Sequence, residues 1–194
     1  MKLSQIALLA SLALGSTFAQ AAPIFSDNFD SYSGQLNWPG AGGWMVSDGT
    51  VDIIPVNGQF DFLPGNGNYV DLDGSTGNAG LFSNSVSLVA GNTYTLTFDL
   101  AGNARSGSET VDVFFGTSST TLVLNQNDLF QTYSLSFSAV TSGIIGFGFQ
   151  NQGGDNVGAL LDNVTVAAVP EPDTYAMVLA GLGLMGFVAR RRKV

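Results

Sequence analysis

The chain contains no cysteine and no histidine. Without cysteine there is no disulfide framework and no thiolate metal site, although the chain has the marks of an exported protein. Without histidine the usual general base, the Ser-His and Cys-His nucleophile systems and most zinc sites are excluded. Basic residues are almost as scarce. Of six, four are Arg190, Arg191, Arg192 and Lys193, and a fifth is Lys2. Between Ala22 and Val169 only Arg105 remains, against 13 acidic residues, so that stretch carries a net charge of −12. A surface of that sign repels nucleic acid and anionic lipid and suits neutral ligands or divalent cations. Helical periodicity of useful length is also missing from this central stretch.

The two ends read as targeting segments. Residues 1–21 form a signal peptide: Lys2 gives the positive start, Ile6 to Leu14 a short apolar run, and Ala19-Gln20-Ala21 places small residues at the two positions a signal peptidase reads. Ala19 and Ala21 are therefore the expected cleavage residues. At the other end Pro170-Glu171-Pro172 interrupts any regular element. Tyr175 to Ala189 is then apolar throughout and runs directly into the basic cluster. That run is slightly shorter than the roughly 17–25 residues of a spanning helix, and the basic cluster fits a cytoplasmic end.

The order Val169-Pro170-Glu171-Pro172, a short spacer, a glycine-rich apolar helix containing Gly181-Leu182-Gly183-Leu184-Met185-Gly186, and Arg190-Arg191-Arg192-Lys193 resembles the PEP-CTERM sorting signal of Gram-negative bacteria. The resemblance covers the last 25 residues, 170–194, and implies an exosortase-type membrane protease as partner. On it, Pro170, Glu171 and Pro172 are the recognition residues, followed by a short transmembrane helix and by Arg190, Arg191 and Arg192. It also implies transfer to the cell surface or extracellular matrix after transient or permanent anchoring.

Residues 22–169 read as one domain of ordinary size. Tyr94, Leu96, Phe98 and Leu100 alternate with Thr93, Thr95, Thr97 and Asp99, and Tyr133, Leu135 and Phe137 alternate with Thr132, Ser134, Ser136 and Ser138. Period-two stripes of this kind are half-buried antiparallel strands. Ile145, Phe147 and Phe149 form a third stripe, with Gly146 and Gly148 opposite, where another segment approaches closely or the strand curves. Further strands are expected at Gly43–Ser47, Val51–Pro55, Asn68–Asp73, Leu81–Val89, Thr110–Phe115, Thr121–Leu124 and Leu160–Val166, separated by Asp-Gly, Asn-Gly and Gly-Gly turns. The fold class is all-β, an antiparallel jelly-roll-like β-sandwich. The ordered pieces Asn28-Phe29-Asp30, Gly43-Trp44, Tyr69-Val70-Asp71-Leu72-Asp73-Gly74, Tyr94 to Asn103 and Leu161-Asp162-Asn163-Val164 resemble the choice-of-anchor proteins of bacterial surfaces and, more loosely, galactose-binding-like carbohydrate modules. This resemblance implies a sandwich fold, a surface setting and an association with sugars.

Three chemistries are open to these residues. Asp162 shares parity with Leu160, Val164 and Val166, which points it inward, where a carboxylate needs a partner. A structural Ca²⁺ shared with Asp27, Asn28 or Asp30 supplies one, and the galactose-binding-like resemblance implies a calcium between these chain ends; a bulge at Asp162-Asn163 that turns the side chain to solvent is the alternative. Asp71-Leu72-Asp73-Gly74 and Asp155-Asn156 are lesser metal candidates. Trp38, in an exposed Asn-Trp-Pro-Gly loop, and Tyr69 are the expected sugar-binding residues, with Tyr32 and Trp44 as further aromatics and Trp44 read as core. Paired carboxylates such as Asp71 and Asp73 admit a polysaccharide hydrolase, while Glu109 lies in a Gly/Ser loop and no nucleophile elbow or phosphate loop is present. The expectation is a non-enzymatic, exported protein associated with extracellular polysaccharide; a carboxylate-dependent hydrolase is the alternative.

Overall fold

The computed structural model describes residues 21–170, 181–185 and 191. Residues 1–20, including Ala19, and most of the sorting segment lie outside the described residues. The strands, in chain order, are β1 (Pro23–Asp27), β2 (Gln35–Trp38), β3 (Met45–Ser47), β4 (Val51–Ile54), β5 (Tyr69–Asp71) and β6 (Leu81–Leu88). They continue with β7 (Thr93–Ala101), β8 (Ser108–Phe115), β9 (Ser118–Asn125), β10 (Gln131–Ser138), β11 (Gly143–Asn151) and β12 (Leu160–Ala168). Seven form one antiparallel sheet in the order β10-β7-β12-β5-β4-β2, with β1 pairing β12 beside β5; five form the other, β3-β6-β11-β8-β9. The expected β-sandwich is present.

The three alternating stripes are the reason the sheets face each other. Tyr94, Leu96, Phe98 and Leu100 are buried on the inner face of β7, opposite Phe137, Leu135 and Tyr133 of β10 in direct register. On the outer face the hydroxyls pair across the strands, Thr93 with Ser138 at 2.9 Å and Thr95 with Ser136 at 3.1 Å. The second sheet contributes Phe82, Val113, Phe115, Phe147 and Phe149 to the same core. Trp44 is buried there, stacked on Phe82 at 4.1 Å, as its place in the sequence suggests. Its indole N–H donates to the Asp27 carboxylate at 2.9 Å, and the same carboxylate accepts the Tyr32 hydroxyl and the Phe29 amide. A buried indole N–H finds its partner in this way, and the first strand is tied to the core.

Two elements differ from the sequence reading. The segment expected to be an exposed tryptophan loop forms β2 and pairs with β4, placing Trp38 opposite Val51. Three of its four residues face solvent, so no alternating stripe marks it. In β12 the pairing with β7 shifts register between Asp162 and Thr165, and Asn163 takes a left-handed φ of 51°. Leu161, Val164 and Val166 consequently enter the main core, while Leu160 joins a smaller cluster with Ile54, Tyr69 and Ala101. Asp162 falls on the Leu160 side, not into the main core as strict parity demanded.

The glycine stripe of β11 has a steric cause. A Cβ on Gly148 would meet the Phe82 carbonyl oxygen at 2.6 Å and the Phe114 ring at 2.8 Å, whereas one on Gly146 would meet nothing nearer than 3.8 Å. Phe114 thus lies flat across the strand where side chains are missing. Gly148→Ala is expected to cost about 1–3 kcal/mol by overpacking and to lower the melting temperature, while Gly146→Ala leaves it nearly unchanged; thermal unfolding of the two variants side by side checks this.

Candidate functional site

Strands β5, β7, β8, β11 and β12 bring their polar termini to one end of the sandwich, where Leu160 pairs with both Asp71 and Ala101. Asp71 sits at the centre of this end and is buried. One carboxylate oxygen accepts the amides of Asp73 and Gly158, each at 3.1 Å, and the other accepts the Arg105 guanidinium at 2.5 Å. Arg105 also donates to the Asn156 backbone carbonyl at 2.8 Å and lies over the Phe62 ring, 4.6 Å from its centroid. The single cation of the body therefore joins β5, the 152–158 loop and the loop that carries Phe62.

Each of those loops is pinned by a buried side chain. Asn103 accepts the amides of Arg105 and Ser106 and donates to Glu109 at 2.6 Å; Asn151 donates to the other Glu109 oxygen at 2.9 Å. Glu109, expected in a Gly/Ser loop, is the second residue of β8 and buried. The burial of its carboxylate is matched by two amide donors, as such groups require. Tyr69 is also buried: its hydroxyl accepts the amides of Phe62 and Leu63 at 2.6 and 3.2 Å and donates to Asp61 at 3.1 Å. Burial pushes its pKa up to about 12.

The result is a cleft. A cavity of about 90 Å³ is lined by Asp52, Phe62, Asp71, Ser75, Arg105 and Asn156. It shares Leu36, Ile54 and Phe60 with a neighbouring depression of about 190 Å³ that reaches Gln35 and Gln59. Phe60 and Leu36 are exposed, and Phe60 stands 6.4 Å from Phe62. Asp52 accepts the amide of Asn37 and both the amide and hydroxyl of Ser75. Fixed carboxylates, an arginine, amides and aromatic edges in one concavity are the usual elements of a site for a polar ligand with apolar faces.

The residues singled out from sequence are distributed differently. Trp38 is 5% exposed, with its ring 4.8 Å from Tyr32 and 6.0 Å from Phe82, and Tyr69 is fully buried. Neither presents the exposed stacking face expected of it: β2 formation turns Trp38 inward, and Tyr69 instead holds the loop that presents Phe60 and Phe62. Asp73 is buried, with one oxygen accepting the Asp155 amide at 3.3 Å. Of the expected metal ligands, Asp27 has both oxygens occupied by protein donors. Asp30 accepts Asn68 and Asn28 donors, and among the described residues no three acidic side chains are gathered as a metal cluster. Asp162 is different: it accepts only its neighbour Asn163 among the hydrogen bonds described. Burial, and then the charges of Asp30, Asp99 and Asp27, raise its carboxyl to about 7. In the tail, Pro170 and Arg191 are described, Arg191 exposed, while Glu171, Pro172, Arg190 and Arg192 lie outside the described residues. Residues 181–185 are helical, and no described helix is long and apolar enough to cross a membrane.

The sequence reading missed Phe60, Phe62, Leu36, Asp52 and Ser75. Arg105 held the available signal, because the lone cation of an acidic domain has many carboxylates from which to draw a partner.

The buried centre makes stability depend on pH. Burial raises the Asp71 carboxyl from 3.8 to about 7, against the lowering effects of Arg105 and the Asp73 amide. Between those values the unfolded chain has released a proton that the folded one retains, so stability falls as pH rises. The melting temperature is expected to decline from about pH 4 to about pH 7, and Asp71→Asn, which cannot titrate, to flatten the decline; differential scanning calorimetry in metal-free buffers across that range is the check.

Comparison with known proteins agrees with the fold and with the tail. No curated protein sequence matches the chain. Among solved structures the chain is similar to the CBM22-1 xylan-binding domain of Xyn10C from Paenibacillus barcinonensis, at 11% identity and a TM-score of 0.52, over 78% of this chain and 97% of that one. It is also similar to the K1 cleaved adhesin domain of Lys-gingipain from Porphyromonas gingivalis, at 14% identity and a TM-score of 0.51, over 75% and 98%. These likenesses concern the fold. Residues 168–193 match the PEP-CTERM protein-sorting motif, which implies export and handling by an exosortase. Residues 23–167 match the family described as protein of unknown function DUF642, and the chain belongs to that family.

Proposed function

We propose that residues 22–169 are a carbohydrate-binding module, delivered to the cell surface or extracellular matrix by signal peptidase at Ala21 and by an exosortase at Pro170-Glu171-Pro172. The observation that carries this reading is the Arg105 cleft. Exposed Phe60 and Leu36 offer apolar contact, and the partly exposed Arg105 and Asn156 offer polar contact beside them. Sugar rings have the same division between C–H faces and hydroxyl edges. The resemblance of the fold to a xylan-binding domain and the sorting motif support the reading, since both belong with extracellular polysaccharide.

Binding without turnover fits the cleft's carboxylates. Asp52 and Asp71 are each held by several protein donors and serve as fixed walls. A glycosidase needs an acid and a base facing each other across open space, and Asp73, the other member of the candidate pair, is fully buried. Affinity electrophoresis through gels containing xylan, β-glucans or bacterial exopolysaccharide is expected to retard the protein in at least one gel. Phe60→Ala should weaken that binding about tenfold, the order set by losing an aromatic contact, without altering the melting temperature; equal mobility in every gel would count against binding.

Calcium is proposed at Asp162, with Asp30 and Asp27, whose charges act on it, as its acidic neighbours. A hard cation there relieves a buried carboxylate surrounded by negative charge. Binding requires the ionised form, so Ca²⁺ is expected to raise the melting temperature above pH 7 and to do little at pH 5, with the rise abolished in Asp162→Ala. An unchanged melting curve for the wild-type protein at pH 8 would exclude the site.

A further inference from the structure

The end of the sandwich opposite the cleft has a composition of its own. Register places five chain segments there. Pro23 pairs with Ala167, Ala168 with Tyr94, Thr93 with Ser138, and Leu88 with Gly143. The loops between them are tied together: Val169 donates its amide to Thr93, Ala139 to Asn92, Gly91 to Ala139, and Gly116 to Gly146. Residues 22–26, 86–94, 113–121, 136–147 and 163–170 contain no charged side chain, although the body has 13 acids. On the strands reaching this end, Asp27, Asp99 and Asp162 lie in the far half, and Asp112 lies near the middle of β8. Asp162 stands six residues before Ala168, about 20 Å along the strand at ~3.3 Å per residue, well beyond a Debye length of about 8 Å at physiological ionic strength.

Large apolar side chains project from this neutral end. Val140 is 88% exposed, Ile144 75% and Val89 59%, with Ile24 and Val169 beside them. Exposed apolar residues elsewhere, such as Leu129, Phe60 and Leu36, stand next to Asp128, Asp61 and Asp52 in sequence or in the cleft. Val123 and Met45 are also exposed apart from charge, but each is single on its strand, whereas Val89, Val140 and Ile144 share the end from which the chain departs. It leaves at Val169-Pro170, and the apolar run of the sorting segment begins at Tyr175. Four intervening residues span at most about 14 Å when fully extended, so a tail inserted in a bilayer holds this end near the membrane surface.

We propose that Val89, Val140 and Ile144 form a membrane-facing surface that rests in the interfacial region of the bilayer while the sorting tail is still attached, with the Arg105 cleft pointing away from the lipid. An anionic leaflet repels the acidic body, and this end approaches it with the least repulsion, the nearest acids being Glu171 and Asp173 of the linker. Apolar side chains at the headgroup boundary add area-dependent attraction. The proposal rests on the reading of residues 175–189 as a bilayer segment.

The absence of cysteine permits single-cysteine labelling of the full chain. Val140→Cys, Leu182→Cys and Asn156→Cys, each carrying an environment-sensitive fluorophore, report the neutral end, the tail and the cleft after reconstitution into phosphatidylethanolamine–phosphatidylglycerol vesicles. The expected result is a blue-shifted label at positions 140 and 182, quenched by nitroxide-bearing lipid severalfold more than the label at position 156. Val140→Asp with Ile144→Asp should return a Val89→Cys label to an aqueous spectrum without changing the melting temperature, because these side chains project from the fold. A quenched label at 182 with an aqueous one at 140 overturns the surface and leaves the tail reading intact. An aqueous label at 182 overturns both, and a blue shift at 140 that lipid does not quench overturns the bilayer in favour of a second protein copy.

Discussion

Asp71 is a single carboxylate that accepts from two loop amides and from the guanidinium of Arg105. Loops that close a sandwich have few apolar contacts of their own, so their positions depend on directional bonds. Here the bonds converge on one buried group. The Asp73 and Gly158 amides fix the chain on either side of the sheet end, and Arg105 extends the reach to Asn156 and to the Phe62 ring. Removing either charged partner leaves the other stranded, which is why such pairs are costly to break even when they contribute little net stability. Tyr69 holds the Phe62 loop and the Asp71 and Asp73 carboxylates hold the 152–158 loop, and Arg105 is the side chain that joins the two across the cleft.

How far the sequence discloses this arrangement depends on whether the relevant residues are periodic. The strands β7, β10 and β11 are legible because large apolar residues recur at every second position along them, and the glycines of β11 are legible because an apolar stripe with nothing opposite implies something lying there, which is Phe114. β2 is not legible: it is an edge strand with one buried residue, and its Asn-Trp-Pro-Gly end has the composition of a loop. That single omission reverses the reading of Trp38. Asp162 shows the same limit from another side. Its parity was read from a regular strand, and one left-handed residue, Asn163, changes the face of everything before it. Long-range partners are the third kind of hidden information. Nothing in the local pattern joins Tyr69 to the amides of Phe62 and Leu63, because the contact is made across a folded loop.

Charge is distributed along the molecule as unevenly as it is along the chain. Five of the six basic residues sit at the two termini of the sequence, and most acids of the body lie on the half that holds the cleft. Burial raises the carboxyls of Asp71 and Asp162, and neighbouring acids push them further the same way. Each has a different compensation within reach. Asp71 has the lone arginine and is locked; Asp162 has only the amide and side chain of Asn163 among the bonds described, and it faces three further carboxylates. The same excess of negative charge that repels an anionic surface attracts a divalent cation, so one electrostatic feature links where the domain can sit to what it can hold.

An acidic sandwich with a neutral apolar tip is an oriented object. Solubility alone calls for acids spread over the whole surface, and the strands at the exit end have ample exposed positions on which to place them: Ser138, Val140, Thr141, Ser142 and Ile144 are all exposed. Their lack of charge is thus not imposed by burial. Packing does not explain it either, since Val140 and Ile144 contribute almost nothing to the core while exposed as they are. What distinguishes these positions is their place in the fold, at the end of the sandwich where the body becomes the tail. A constraint that acts on an exposed surface next to the exit point, and not on the opposite end, is a constraint set by what the exit point adjoins.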